Sequence, residues 1–85
     1  VHMPVKARIA QAFVALKTQF GTKEDGVINL ELSRQDMASF SGSSYETLFK
    51  VINEFTQNGF VELIGRKLKI LNEAALLETI QKDNS

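Results

Sequence analysis

The N-terminal quarter of the chain carries apolar residues at the spacing of an amphipathic helix. After Pro4, apolar side chains recur every three or four positions, at Val5, Ile9, Ala12, Phe13, Leu16 and Phe20. This spacing places them on one face of an α-helix, and proline suits a first turn because its missing N–H has no helical partner there. We therefore predict a helix over residues 5–20, with Gly21 as a left-handed C-cap.

The next apolar segment, VINLEL at residues 27–32, alternates instead. Its apolar residues Ile28, Leu30 and Leu32 would share one face, with polar residues on the other. This period of two is typical of a half-buried strand, so we predict a short β-strand over residues 27–32.

A short helix is predicted after Ser33. The Ser33 hydroxyl can accept hydrogen bonds from the free N–H groups of the first turn, and Asp36 lies near the positive end of the helix dipole. The apolar side of this helix consists of Met37, Ala38 and Phe40. The sequence SGSS at residues 41–44 then interrupts the pattern and indicates a turn.

A further helix, over about residues 44–58, follows this turn. Its buried stripe is predicted to be Leu48, Val51, Ile52 and Phe55. Ser43 or Ser44 can cap it, and Ser43 with Glu46 fits a capping box. Gly59 is expected to end it.

Two apolar runs and a final helix complete the pattern. FVELI and LKIL flank the sequence GRK at residues 65–67, which predicts a β-hairpin. Asn72 can cap a last helix, in which Ala74, Leu77 and Ile80 repeat every three positions. The predicted order is helix, strand, helix, helix, strand, strand, helix, a mainly α-helical fold with a small antiparallel sheet (α+β).

Residues 34–53 fit a helix-turn-helix, in which a turn of three or four residues joins two helices. Ala38 is small where the two helices approach each other, and Gly42 lies where the turn needs a conformation that costs other residues energy. Leu48 and Val51 face the core. Because a hairpin, or wing, directly follows the second helix, the predicted architecture is a winged helix-turn-helix.

Composition excludes several function classes. The 85 residues include no cysteine and a single histidine, His2, so disulfide scaffolds and cysteine metal sites are excluded and no metal site is expected. Glu24 and Asp25 are adjacent, but no nucleophile accompanies them, and we predict no enzyme activity. No apolar run reaches the roughly 18 residues of a membrane span and no signal peptide is visible. The lack of cysteine fits a cytoplasmic protein.

Three segments, SRQDMA, the glycine turn and ETLFKVI…NGFV, resemble the C-terminal DNA-binding domain of the Crp/Fnr family of bacterial transcription regulators. The similarity extends from Arg8 to about Leu77. Residues 33–36 closely match the Thr-Arg-Gln-Glu/Asp sequence usual in the family. Tyr45 and Lys50 replace two arginines usual in its recognition helix, which changes the base preference expected but not the mode of binding.

The resemblance implies sequence-specific binding of double-stranded DNA, with the recognition helix, about 44–58, in the major groove and the wing, 64–68, on the backbone. The base-reading residues would be Tyr45, Glu46, Phe49 and Lys50. The phosphate-binding residues would be Arg34, Gln35, Ser44, Thr47, Arg66 and Lys67, with Lys69 behind the wing tip.

Several of these residues also have purely structural explanations. Glu46 could serve the capping box and Ser44 could simply cap its helix. Tyr45 could close the edge of the core. The ring of Phe49 could fold against the wing and so complete the core. The charged wing tip, around Arg66, could serve only to resist edge-to-edge aggregation.

The charge balance leaves a second function open. Ten basic and ten acidic residues give a formal net charge of zero, whereas many nucleic-acid-binding domains are strongly basic. Acidic residues outside the proposed DNA face would account for this balance, namely Glu24, Asp25, Glu73, Glu78 and Asp83. The alternative function is a winged-helix protein–protein interaction module that does not bind nucleic acid.

The resemblance also implies a larger protein. Family members carry an N-terminal effector-sensing β-barrel and a long dimerisation helix, neither of which fits before Pro4. We expect residues 1–3 to be a cloning remnant, 4–81 the domain and 82–85 a frayed tail. This fragment is expected to be a monomer without cofactor. In a full-length homodimer, the absent domain would bind an effector such as a cyclic nucleotide, and RNA polymerase would be a further partner.

Overall fold

The computed structural model describes residues 4–23, 25–28, 30–31 and 33–83, without the side chains of residues 34, 40, 41 and 83. This part of the chain forms four helices and two strands: α1 (Val5–Phe20), α2 (Arg34–Ser41), α3 (Tyr45–Gln57), β1 (Val61–Ile64), β2 (Lys67–Ile70) and α4 (Glu73–Asp83). The prediction of a mainly helical fold with a small antiparallel sheet is confirmed.

One apolar core holds these elements together. The helix α4 packs antiparallel to α1, since Lys17 near the end of α1 forms an ion pair with Glu73 at the start of α4. The core lies between this pair, the two shorter helices and the hairpin. Its buried members are Ile9, Ala10, Phe13, Leu16, Ile28, Met37, Ala38, Leu48, Val51, Ile52, Phe55, Val61, Leu68 and Leu76. All four residues of the stripe predicted for α3 are therefore buried.

The turn between α2 and α3 has the left-handed glycine that the sequence predicts. Gly42 has φ 71° and ψ 27°, a conformation that glycine adopts without the steric cost of a Cβ. Its N–H donates to the carbonyl oxygen of Ser39 at 3.2 Å, and the N–H of Ser43 donates to that of Ala38 at 3.1 Å. This pairing is a Schellman motif, which satisfies the last carbonyls of α2.

The cap of α3 is Ser44, one of the two residues proposed. Its Oγ accepts a hydrogen bond from the N–H of Thr47 at 3.2 Å. The predicted capping box of Ser43 with Glu46 is wrong. In such a box the Glu side chain accepts from the N–H of the cap residue, and the N–H of Ser43 is already bonded to the end of α2.

The strand predicted over residues 27–32 is reduced to isolated bridges in the described part of that segment. Thr22 pairs with Ile28, and Val27 pairs with Lys69 on β2. Val27 and Ile28 are consecutive and both buried, so this segment does not keep the alternation of a two-faced strand. The hairpin itself forms as predicted, with β1 and β2 paired antiparallel.

Two predictions at the ends of the long helices need correction. Phe20 is 39% exposed, because the last turn of α1 extends beyond the core. Gly21 has the positive φ expected, at 74°, but its ψ of 175° is extended rather than left-handed helical.

In α4 the buried residue is Leu76, whereas Leu77 is 41% exposed and Ala74 is also exposed. A spacing of three drifts around a helix with 3.6 residues per turn, and of Ala74, Leu77 and Ile80 only Ile80 packs against the core. The helix continues through Asp83, so the first half of the predicted frayed tail is helical.

Candidate nucleic-acid interface

The start of α2 presents polar groups to solvent. The Oγ of Ser33 accepts a hydrogen bond from the N–H of Asp36 at 3.1 Å, which confirms the predicted cap. Gln35 is exposed in the first turn, and the side chain of Arg34 lies outside the described residues. The N–H groups at such a helix start carry partial positive charge and favour an anion.

The outward face of α3 is polar. The buried residues of this helix occupy one side, so at 100° per residue Glu46, Lys50 and Asn53 fall on the opposite side. All three are exposed. Asn53 was not among the predicted site residues, although its position one turn after Lys50 and Phe49 could have indicated it.

Two aromatic residues border this polar face and contact each other. The rings of Tyr45 and Phe49 lie with centroids 5.9 Å apart and planes inclined at 44°. Tyr45 is 45% exposed, while Phe49 is half-buried. The structure thus brings two of the four predicted base-reading residues together as one aromatic surface.

Ser44 and Thr47 form a small hydroxyl cluster at the start of α3. The Ser44 hydroxyl donates to the Thr47 hydroxyl oxygen at 2.9 Å and also accepts from the Thr47 N–H. The capping explanation for Ser44 is therefore confirmed. A hydroxyl that accepts one hydrogen bond can still donate its own hydrogen, so Thr47 retains a donor for an external oxygen.

The wing carries basic residues on two sides. Arg66 is exposed at the hairpin tip and also lines an apolar crevice with Leu30, Met37 and Leu68. An arginine in this position can lay its carbon stem along apolar surface while its guanidinium stays in water. Lys67 begins β2 on the opposite face from the buried Leu68.

A basic residue that the sequence reading did not select lies beside the wing. Lys67 of β2 lowers the pKa of Lys23, in the loop after α1, first because its ammonium group can donate a hydrogen bond only to the neutral amine of Lys23, and then because the two positive charges repel each other. Sequence alone gave no signal for this pair, since the two lysines come together only through packing of the loop on β2.

Three acidic residues outside the wing and the polar face of α3 are engaged in the fold. Glu73 pairs with Lys17, and Glu54 pairs with Lys6 at 2.7 Å. The Oδ1 of Asp25 accepts a hydrogen bond from the N–H of Val27 at 3.2 Å. A net charge of zero is therefore compatible with a locally basic wing.

The described ranges contain no sign of two other common kinds of site. Within them, no helix is long and apolar enough to cross a membrane. No three His, Cys, Asp or Glu residues among them gather to hold a metal ion.

Comparison with known proteins identifies relatives of one kind. The family model of the Crp-like helix-turn-helix domain matches residues 7–79. The CRP-like cAMP-activated global transcriptional regulator of Mycobacterium tuberculosis is 30% identical over 78 residues, which cover 89% of this chain and 35% of that protein. The transcriptional activator protein FnrA of Stutzerimonas stutzeri is 30% identical over 71 residues, or 81% of this chain and 29% of that protein.

Solved structures show the same architecture. A transcriptional regulator of the CRP/FNR family from Thermus thermophilus superposes with a TM-score of 0.83 at 27% identity, covering 95% of this chain and 42% of that one. The catabolite activator protein of Thermus thermophilus gives a TM-score of 0.76 at 22% identity, covering 92% of this chain and 34% of that one. The chain thus spans about a third of the length of the curated relatives it matches.

Proposed function

The chain belongs to the Crp/Fnr family of transcription regulators as their Crp-like helix-turn-helix domain, and we propose that it binds double-stranded DNA sequence-specifically as the output domain of such a regulator. In this function α3 (Tyr45–Gln57) lies in the major groove, which is wide enough to admit an α-helix. The start of α2 and the wing hold the phosphate backbone on either side.

The observation that carries this proposal is the division of α3 into two faces. Its apolar face is anchored in the core, while the face that carries Glu46, Lys50 and Asn53 is polar and exposed. A helix held rigidly by one side can present the other side to base edges without further ordering. This is the arrangement by which a recognition helix reads DNA.

Each base-reading residue has a chemical role in the proposal. Glu46 accepts from a cytosine amino group, and Lys50 donates to the O6 or N7 of guanine. Tyr45 and Phe49 provide an apolar surface for a thymine methyl group or a sugar. Asn53 suits an adenine edge, to which an asparagine side chain can bond twice.

The phosphate contacts surround this helix. Gln35, together with Arg34, binds a phosphate at the start of α2, where the helix N–H groups assist. Ser44 and Thr47 contact the backbone at the start of α3, with Thr47 as the hydroxyl donor. Arg66 and Lys67 contact it from the wing. Such contacts position the domain but do not read the sequence.

The whole regulator is also part of the proposal. As an output domain, this chain would act in a homodimer whose other domain binds an effector such as a cyclic nucleotide, and which contacts RNA polymerase. A dimer places two recognition helices one turn of DNA apart, roughly 34 Å. The isolated chain contains a single recognition helix, so it should bind one half-site.

A protein-interaction module remains the rival function. The exposed ring of Tyr45 and the net charge of zero favour it. The two functions differ in one measurable respect, because only DNA binding depends on neutralising phosphates and therefore weakens steeply with salt.

The isolated chain should sediment as a monomer and bind labelled duplex DNA weakly, with an affinity that falls steeply between about 50 and 200 mM salt. Fluorescence anisotropy against pooled genomic fragments measures the affinity, and sedimentation measures the mass. A stable dimer would contradict the half-site assignment. A salt-independent affinity, or no binding to any duplex, would favour the protein-interaction module.

A further inference from the structure

A hydrogen-bond acceptor and an apolar surface lie side by side near the start of α3. Glu46 and Phe49 are three residues apart on this helix, and side chains at that spacing are neighbours. The ring of Phe49 contacts that of Tyr45, with centroids 5.9 Å apart. The carboxylate of Glu46 is thus bordered on one side by the aromatic surface that Tyr45 and Phe49 form.

The carboxylate of Glu46 is suited to accept a hydrogen bond from DNA. The residue is exposed, and no lysine or arginine side chain that the structure describes forms an ion pair with it. It lies in the first turn of α3, where the helix dipole favours a negative charge. An ionised carboxylate accepts hydrogen bonds and donates none, so it fits an amino group on a base edge and is repelled by an acceptor there.

The aromatic surface beside it is already assembled in the protein without DNA. Phe49 is half-buried, so its ring is held by packing as well as by its contact with Tyr45, which itself remains 45% exposed. A surface that is ordered beforehand loses little side-chain freedom when it binds. In the major groove, the apolar group that a base can offer to it is a methyl group at C5 of a pyrimidine.

The edges of the four common bases each match at most one of these two features. Thymine carries the methyl group, but the neighbouring O4 is an acceptor that the carboxylate repels. Guanine offers only acceptors, and adenine offers an amino group beside the acceptor N7. Cytosine offers its amino group beside an unsubstituted C5. Methylation at C5 therefore gives cytosine both features, the donor and the methyl group, on neighbouring ring atoms.

We propose that Glu46, Phe49 and Tyr45 together read one 5-methylcytosine in the duplex. The carboxylate accepts from the N4 amino group, while the two rings cover the C5 methyl group. This inference rests on the proposed function and names a modified base that the recognition helix prefers. With unmethylated cytosine the amino contact remains, but the aromatic surface has no methyl group to cover. The affinity of the domain therefore responds to methylation of its site.

The test uses the best duplex selected from a randomised library, with single cytosines replaced by 5-methylcytosine and affinity measured by fluorescence anisotropy at low salt. The cytosine that Glu46 contacts is the position at which Glu46→Ala loses discrimination. Its methylation should raise affinity about fourfold, the gain expected from burying one methyl group. Methylation of a cytosine in the flanking sequence is the matched control and should leave affinity unchanged.

Variants connect this gain to the aromatic surface. The ratio of methylated to unmethylated affinity should fall to about one in Phe49→Ala, whatever loss of overall affinity accompanies the change. Thr56→Ala, at an exposed position two turns further along α3, should keep the wild-type ratio. Melting temperatures show whether each variant folds, and Tyr45→Ala, at a more exposed position, should also lower the ratio if Phe49→Ala does not fold.

Equal or weaker affinity for the methylated duplex would overturn this inference. The rings would then cover a different group, such as the methyl group of a thymine in the next base pair, and replacing that thymine with deoxyuridine would weaken binding. A wild-type chain that binds no duplex would instead refute the proposed function, so the two failures can be told apart.

Discussion

Replacing Phe55 with alanine should lower the free energy of unfolding by about 3–5 kcal/mol. Its side chain is 1% exposed, and its ring centroid lies 6.4 Å from that of Phe13 on α1 and 5.7 Å from that of Phe60 before β1. The truncation removes both aromatic contacts and leaves a cavity where α1, α3 and the hairpin meet.

Such a loss is a large part of the stability of a domain this size, which is on the order of 4–13 kcal/mol. Urea denaturation followed by circular dichroism measures it. The control is Thr56→Ala at the next position of α3, where the side chain is exposed and the change should stay within about 0.5 kcal/mol. Equal unfolding midpoints for Phe55→Ala and wild type would show that α3 is not anchored as described.

Lys50→Ala and Arg66→Ala should weaken DNA binding in different ways. If Lys50 reads a base, its loss should relax discrimination at one base-pair position by about 1–3 kcal/mol. If Arg66 contacts only phosphate, its loss should weaken binding to all sequences alike and lower the salt slope by about one. The difference follows from their positions, on the outward face of α3 and at the wing tip.

The measurement is a panel of duplexes that differ at single positions of the best sequence selected from a randomised library, each titrated at two salt concentrations. Lys82→Gln, near the end of α4, serves as the control for loss of charge. A uniform loss of affinity across the panel for Lys50→Ala would remove Lys50 from the base-reading residues and leave it as a phosphate contact.

Much of the fold could be predicted because the local sequence preferences and the packing of the core favour the same helices and turns. Leu48, Val51, Ile52 and Phe55 repeat at helical spacing over a whole helix, and all four are buried. Gly42 is where the turn needs a left-handed residue. These features depend on residues close together in sequence, which is what a pattern records.

The errors arise where a choice depends on neighbours distant in sequence. In α4, both Leu76 and Leu77 are apolar, and only packing against α1 decides which is buried. At the turn, both Ser43 and Ser44 can cap, and the bond from Ser43 back to Ala38 decides in favour of Ser44. A sequence pattern gives no reason to prefer one of these alternatives over the other.

The residues of the candidate site also divide into those that a local sequence pattern predicts and those that depend on contacts distant in sequence. The outward residues of α3, such as Glu46 and Lys50, could be selected because the buried stripe defines the opposite face. The pairing of Lys23 with Lys67 could not, because the loop after α1 reaches β2 through irregular bridges rather than a strand. A prediction of DNA-binding residues that is limited to the helix-turn-helix and the wing does not include this loop.

The central claim is that the start of α2, the outward face of α3 and the wing together form the surface that binds duplex DNA. Mapping backbone amide chemical shifts during titration with duplex DNA tests it most directly. The changes should concentrate in residues 34–36, the N-terminal half of α3 and residues 64–68, while α4 (Glu73–Asp83) stays unchanged. Changes centred on α4, or none at saturating duplex, would contradict the account.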